Sequence, residues 1–182
     1  IAVELKEAGY NVVANYANSD ESARAFSERT GIPTYKFDVS DFDACKANIE
    51  AIERDIGQVS ILVNNAGITR DKTMHRMTPE CFNLSRCVIE HMRENRFGRI
   101  INIGSVNGQA GQYGQVNYAA AKSGILGFTK ALALESASHG ITVNAIAPGY
   151  VDTDMVRNVP ADVLEKIIAK IPVGRLGSAH DI

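Results

Sequence analysis

Three stretches of this chain, VSILVNNAG at 59–67, RIINIGS at 99–105 and ITVNAIAPG at 141–149, run apolar and β-branched almost without interruption. A strand with one wet face alternates apolar and polar residues, whereas a nearly continuous Val, Ile and Leu run marks a strand covered on both faces. Such strands belong to parallel sheets, whose neighbours are joined by crossover helices. The segments between them fit that demand. CFNLSRCVIEHMREN (81–95) and VNYAAAKSGILGFTKALALESASHG (116–140) both carry helical periodicity. The same rhythm runs upstream through a helical IAVELKEAG that stops at Gly9, an extended NVVANY, a helical DESARAFSERTG, an extended PTYKFDV and an amphipathic DFDACKANIEAIERDIG. The expected fold is α/β, a doubly wound parallel sheet with helices on both faces, in a single domain spanning 1–182.

In open parallel sheets ligands bind beyond the carboxyl ends of the strands. Those ends carry Asp38, then Asn64 to Gly67, then Ser105, then Pro148 and Gly149, and the topology puts all four groups on one edge. The Asn-Asn-Ala-Gly turn suits close approach of backbone to a nucleoside, and it equally suits a plain strand-to-loop turn.

Tyr118 and Lys122 stand one helical turn apart and share a face. An ammonium about 4 Å from a phenol favours phenolate by up to ~4 kcal/mol at an effective dielectric of ~20, roughly three pKa units. The start of the helix adds its dipole in the same sense. Such a phenol serves as a proton donor and acceptor near neutral pH, and Ser105 on its strand end can bond the same substrate oxygen. Read singly, these are also a surface Tyr, a surface Lys and a loop Ser.

Composition excludes other classes of function. The formal net charge of -2 gives the molecule no general pull toward nucleic acid or an anionic membrane. The basic run His91, Arg93, Arg96, Arg99 reads as a solvated helix end before it reads as an anion site. Cys45, Cys81 and Cys87 are an odd number with no C-x-x-C pair, and they imply reduced thiols in a cytoplasm. The four histidines show no metal-ligand spacing. The opening residues lack a basic n-region and cleavage site, and Lys122 and Lys130 interrupt the most apolar stretch, so neither export nor a membrane span is expected.

Taken together, NNAG at 64–67, Ser105, YAAAK at 118–122, Asn144 in VNAIAPG and PGYVDT at 148–153 resemble the short-chain dehydrogenase/reductases in order and spacing, over nearly the whole chain. That resemblance implies Tyr118 as proton donor to a carbonyl oxygen, Ser105 as its hydrogen-bond partner, and Lys122 as the group that lowers the tyrosine pKa and holds the nicotinamide ribose. It further implies cofactor contacts at Asp38 and Val39 on the adenine side, at Asn65, Ala66 and Gly67 along the adenosine ribose, and at Pro148, Gly149, Val151 and Thr153 on the nicotinamide and diphosphate side. NADP is the expected nucleotide, because Asn15 and Tyr16 end the second family strand without an acid to bond a ribose diol and repel a 2′-phosphate. Asn18, Ser19, Ser22 and Arg24 are its helpers, and NADH stays open.

Within the family, NAGITRD and SVNGQAGQYGQVNYAAAK resemble members that act on 3-oxoacyl thioesters. The implied reaction reduces acetoacetyl-CoA to (R)-3-hydroxybutyryl-CoA for polyhydroxybutyrate synthesis, with Gln112, Tyr113, Gln115 and Tyr150 lining the acyl pocket and Asp71 and Arg76 at its mouth. An acyl-carrier-protein thioester is the alternative substrate, a non-catalytic dinucleotide-binding protein is a more distant one, and the glutamines also read as loop filler. The family adds a homotetramer, no metal, and a cytoplasmic setting.

The chain departs from the family pattern at three places. It opens inside the helix that follows a T-G-x-x-x-G-I-G turn, it ends before a last strand and helix, and it runs from MTPE directly into CFNLSR. There, relatives carry about a dozen more residues, including an asparagine that anchors a proton-relay water. Thr78 and Pro79 look like the cap and first residue of a helix whose following turns are missing. Loss of a phosphate-binding turn and of helical turns would cripple folding and cofactor binding. The expectation is therefore a sequence joined across residues that the whole protein has.

Overall fold

A computed structural model of the chain describes residues 1–66, 80–157 and 159–182, apart from the side chains of residues 80, 81, 154 and 155. Gly67, Asp71, Arg76, Thr78 and Pro79 lie outside the described residues.

Strand and helix alternate as the sequence predicts. The order is α1 (Ala2–Glu7), β1 (Ala14–Tyr16), α2 (Asp20–Thr30), β2 (Thr34–Lys36), α3 (Phe42–Asp55), β3 (Ile61–Asn64), α4 (Glu80–Glu94), β4 (Gly98–Ile103), α5 (Asn107–Ala110), α6 (Val116–Ser136), β5 (Ile141–Ile146), α7 (Asp154–Arg157) and α8 (Ala161–Ile168). The pairings are parallel and form two sheets, β1 with β2, and β3 with β4 and β5 in that order. The chain is thus an α/β fold of parallel sheets flanked by helices, Rossmann-like in its winding. Strands are shorter than the apolar runs suggest, because a strand extends only as far as a neighbour offers a ladder. NVVANY pairs only through Ala14, Asn15 and Tyr16.

Local chemistry sets the helix ends. Asp41 caps α3 by accepting from the Ala44 N–H at 3.0 Å, and Ser19 caps α2 through the Ser22 N–H at 3.4 Å. α3 then turns Cys45, Ile49 and Ile52 inward, at the spacing of one helical face, and α4 does the same with Leu84, Val88 and Met92. These faces close on Leu62, Ile100, Ile141 and Val143 of the second sheet to make the core. Coverage is uneven in β5, where Ile141 and Val143 point inward while Thr142, Asn144 and Ile146 are exposed.

A polar seam crosses this core. The Asn64 amide donates to Ser85 Oγ at 3.1 Å and to Asn102 Oδ1 at 2.8 Å; Asn102 Nδ2 donates to Thr129 Oγ1 at 2.9 Å, and Thr129 Oγ1 to the Ile125 carbonyl at 2.7 Å. It links α4, β3, β4 and α6 side by side. Asn102 is fully buried and both ends of its amide are satisfied, so the seam avoids the penalty of an unpaired buried polar group. On the same flank Phe82 and Phe128 meet edge to face with centroids 4.5 Å apart, holding α4 against α6.

After α6 the chain turns at Gly140, whose φ of 71° is left-handed and whose missing Cβ leaves room for the Arg96 carbonyl. Arg96 and Arg99 donate to the Ser138 and Gly140 carbonyls at 3.0 and 3.1 Å. These arginines of the basic run bond carbonyls at the end of a helix, as the solvated reading expects. Cys45 and Cys87 are free thiols, and burial pushes Cys45 up to about 11. No helix among the described residues is long and apolar enough to cross a membrane.

Candidate active site

β4 ends at Ile103, and the next residues turn against the end of β5. The Gly104 N–H donates to the Ile146 carbonyl at 2.7 Å and the Val106 N–H to the Pro148 carbonyl at 3.0 Å. Ser105 lies between these two bonds and is buried. Two of the predicted strand ends, Ser105 and Pro148, are thereby fastened together.

α5 follows within two residues and seats α6. A Cβ on Gly108 would stand 2.6 Å from the main-chain carbon of Lys122, so only glycine permits this approach. Ser123 Oγ donates to the Gly108 carbonyl at 2.5 Å and secures the contact. On the same turn Lys122 Nζ donates to the Ile103 carbonyl at 2.9 Å and lies 5.9 Å from the Tyr118 ring centroid. The sequence suggests an ammonium about 4 Å from the phenol; here its nearer partner is the carbonyl at the end of β4. Tyr118, Lys122 and the strand end bearing Ser105 thus meet at one corner.

Beside that corner lies a polar cluster. Asn107 Nδ2 donates to Gln112 Oε1 at 2.6 Å and to Gln115 Oε1 at 2.9 Å, and the Tyr150 hydroxyl donates to Gln112 Oε1 at 3.2 Å. Three of the predicted pocket residues are brought together. Tyr113 is not among them, since its side chain projects fully into solvent from the tip of the α5–α6 turn. Tyr150 itself is held by a strap: Gly177 N–H donates to the Tyr150 carbonyl and Asp152 N–H to the Gly177 carbonyl, at 2.9 and 2.8 Å, forming a parallel bridge between Val151 and Gly177. Gly149 and Thr153 are exposed on either side of Val151, and Thr153 starts α7 by accepting from Val156 and Arg157.

The opposite end of the edge holds residues that the sequence leads one to expect on the adenine side. Asn15, Val39, Asn65 and Ala66 line one cleft with Val63, Asn64 and Leu84. Val39 enters it from the core; its side chain is buried and its carbonyl accepts from Asn83 Nδ2 at 2.9 Å. Asp38 is exposed and its carboxylate accepts from both the N–H and the hydroxyl of Ser40.

Two charged residues that the sequence pattern did not single out stand at the end of β1. Asp20 and Lys36 form an ion pair at 2.8 Å, and Tyr16 hydrogen-bonds the same carboxylate. The Lys36 bond, then the Tyr16 bond, hold Asp20 below its ordinary value. An acid therefore does stand near this strand end, with a lysine answering its charge. Asn107 was equally unmarked, since a loop asparagine carries no periodic signal and only its place two residues after Ser105 hints at a role.

Known proteins share this sequence along its whole length. A family model described as short chain dehydrogenase matches residues 1–164. The acetoacetyl-CoA reductase of Rhizobium meliloti is 56% identical over 195 residues, covering all of this chain and 81% of the relative. That of Shinella zoogloeoides is 53% identical with the same coverage, and the 3-oxoacyl-[acyl-carrier-protein] reductase of Escherichia coli is 44% identical over 196 residues, covering all of this chain and 80% of the relative. Each alignment is longer than the 182 residues it covers, so these relatives carry about a dozen positions with no counterpart here, in keeping with the gap expected after MTPE.

Proposed function

The chain belongs to the short-chain dehydrogenase family and is an oxidoreductase that uses a nicotinamide dinucleotide, and from that premise we propose that it reduces acetoacetyl-CoA to (R)-3-hydroxybutyryl-CoA with NADPH. The observation that carries the reading is the bond from Lys122 to the Ile103 carbonyl, which gathers Tyr118, Lys122 and the Ser105 strand end at one corner. Ser105 Oγ donates to the C3 ketone oxygen and polarises it. Tyr118 gives that oxygen its phenolic proton, and the Lys122 ammonium stabilises the negative charge left on the phenol oxygen. A nicotinamide cofactor held beside Lys122 would supply the hydride for C3, which with the proton from Tyr118 would turn the ketone into the alcohol.

The residues present fit such a cofactor. Asn15, Val39, Asn65 and Ala66 offer amide groups and open backbone in a cleft suited to a nucleoside, the family resemblance adds Asp38 and Gly67 to the same contacts, and nothing stands within 4 Å of where a Gly149 Cβ would be. Pro148, Val151 and Thr153 continue the nicotinamide side. Lys36 offsets the charge of Asp20, and Arg24 in the same turn of α2 adds a cation, which favours a 2′-phosphate over a bare ribose diol. Gln112, Gln115 and Tyr150 receive the acyl thioester, and the family resemblance adds Tyr113 to the lining and Asp71 and Arg76 to the mouth. The product would feed polyhydroxybutyrate synthesis in the cytoplasm. A homotetramer agrees with the side of α6 on which Gly124, Gly127, Ala131 and Leu134 are exposed.

Replacing Tyr118 by Phe tests the assignment. The full-length enzyme should lose about 10²- to 10⁴-fold in turnover of acetoacetyl-CoA while its affinity for NADPH stays near wild type. Retained turnover would remove Tyr118 from the mechanism. A higher kcat/KM for acetoacetyl-acyl-carrier-protein than for the CoA ester would transfer the substrate assignment, and cofactor binding without turnover of either would mark a non-catalytic protein.

A further inference from the structure

We propose that Asn107 is a positioning residue that turns the NH₂ groups of the rim glutamines toward the ligand and so selects substrates with a second carbonyl beside the ketone. This rests on the acyl-thioester reading above. One amide carries the arrangement. Asn107 Nδ2 gives its two hydrogens to the carbonyl oxygens of Gln112 and Gln115, at 2.6 and 2.9 Å, and the Tyr150 hydroxyl gives a second hydrogen to Gln112 Oε1 at 3.2 Å. Both lone pairs of the Gln112 oxygen are then used.

The consequence concerns what is left over. A glutamine whose oxygen is held inward turns its NH₂ group toward the ligand, so Gln112 presents two donors and no available acceptor, and Gln115 presents its two donors with its oxygen facing Asn107. Among the described residues neither Nε2 group makes a hydrogen bond. A 3-oxoacyl thioester carries two acceptor oxygens separated by one methylene group. With its ketone at Ser105 and Tyr118, its thioester carbonyl faces the rim, where an NH₂ group matches it and an oxygen would repel it.

Asn107 also reaches the other oxygen. Its main-chain N–H donates to Ser105 Oγ at 3.2 Å, occupying a lone pair of that hydroxyl and leaving the O–H to donate to the ketone. The main chain of one residue sets the serine while its side chain sets the glutamines. Recognition of the two carbonyls is thereby tied to a single short segment.

Asn107→Asp separates the two tasks. It keeps size and main-chain N–H, yet its carboxylate can only accept, so Gln112 and Gln115 must turn their NH₂ groups inward and their oxygens toward the ligand. The KM for acetoacetyl-CoA should rise about tenfold or more, the loss of one well-made hydrogen bond, with the KM for NADPH unchanged. In a Gln112→Ala, Gln115→Ala background the same substitution should change KM by less than about twofold, because its effect passes through the glutamines. An equal rise in both backgrounds, or none in either, overturns the proposal. Wild-type turnover tests the substrate reading separately. If the carrier-protein thioester is the one reduced, the same cycle is measured on it. If no thioester is reduced, the reading fails, and Asn107 is judged by the side-chain amide signals in a ¹⁵N–¹H spectrum. Asn107→Asp should shift those of Gln112 and Gln115, and unmoved signals overturn the positioning role.

Discussion

Thr129 shows how much one hydroxyl does in this molecule. It accepts from the fully buried Asn102 and donates to the Ile125 carbonyl, so it closes the polar seam on the α6 side. Thr129→Val keeps the shape and strands an amide hydrogen of Asn102 in the core, which should cost about 1–3 kcal/mol in urea unfolding. Thr129→Ser should recover most of it; a Thr129→Val protein as stable as wild type would mean that the bond carries no stability. Residues of this kind were hidden in the sequence. Asn102 interrupts an apolar strand and reads as a flaw until Asn64 and Thr129, distant in the chain, are seen beside it. Ser105, Tyr118 and Lys122 were legible because their spacing on a strand end and a helix face already carries their geometry. Asn107 was not, because its partners are decided by how a turn closes.

Among the elements, the contact of α5 with α6 bears most directly on the site. Gly108 meets the backbone of Lys122 with no space for a methyl group, and a backbone carbon cannot rotate away as a side chain does. Gly108→Ala should therefore push α6 from α5, costing about 1–3 kcal/mol of stability and lowering kcat more than the KM for NADPH. A thermal melt beside steady-state kinetics checks both, and an unchanged kcat would show that the helices have slack. Element boundaries were less readable than element order. α5 is a single turn containing glycine, too short for a period to show. α8 was missed although Pro160 before it, Asp162 in its first turn and Lys166 in its last are all helix signals. It lies past the last strand, where the alternation that organised the reading had ended.

Across the whole molecule, parallel alternation was legible but its division into two sheets was not, since ladder partners are chosen by packing between distant segments. The two ends of the chain also meet: His180 of the final turn reaches Glu4 of α1, with Nδ1 and Oε1 3.1 Å apart. That final turn depends on Asp181, whose carboxylate accepts from the Ser178 N–H and from Arg175, and these bonds hold it down to about 2. A carboxyl held below its unfolded value near 3.8 stabilises the fold above that value and loses its contribution as pH falls through about 2. Acid titration followed by NMR should show the signals of Ser178 and Gly177 moving together between about pH 4 and 2, and Asp181→Asn should abolish that step. A Gly177 signal that holds still while Asp181 titrates would disconnect the turn from the strap.

The strap has one more implication, for how such a molecule can be altered. Because Val151 and Gly177 lie side by side, the chain leaves the fold and re-enters it at nearly one point, with α7 and α8 forming the excursion between. The entropy of closing such an excursion grows only with the logarithm of its length. Residues can thus be added to it or removed from it while Tyr150 stays anchored, which makes this the part of the molecule that can be resized without disturbing the corner where Tyr118 and Lys122 meet the end of β4.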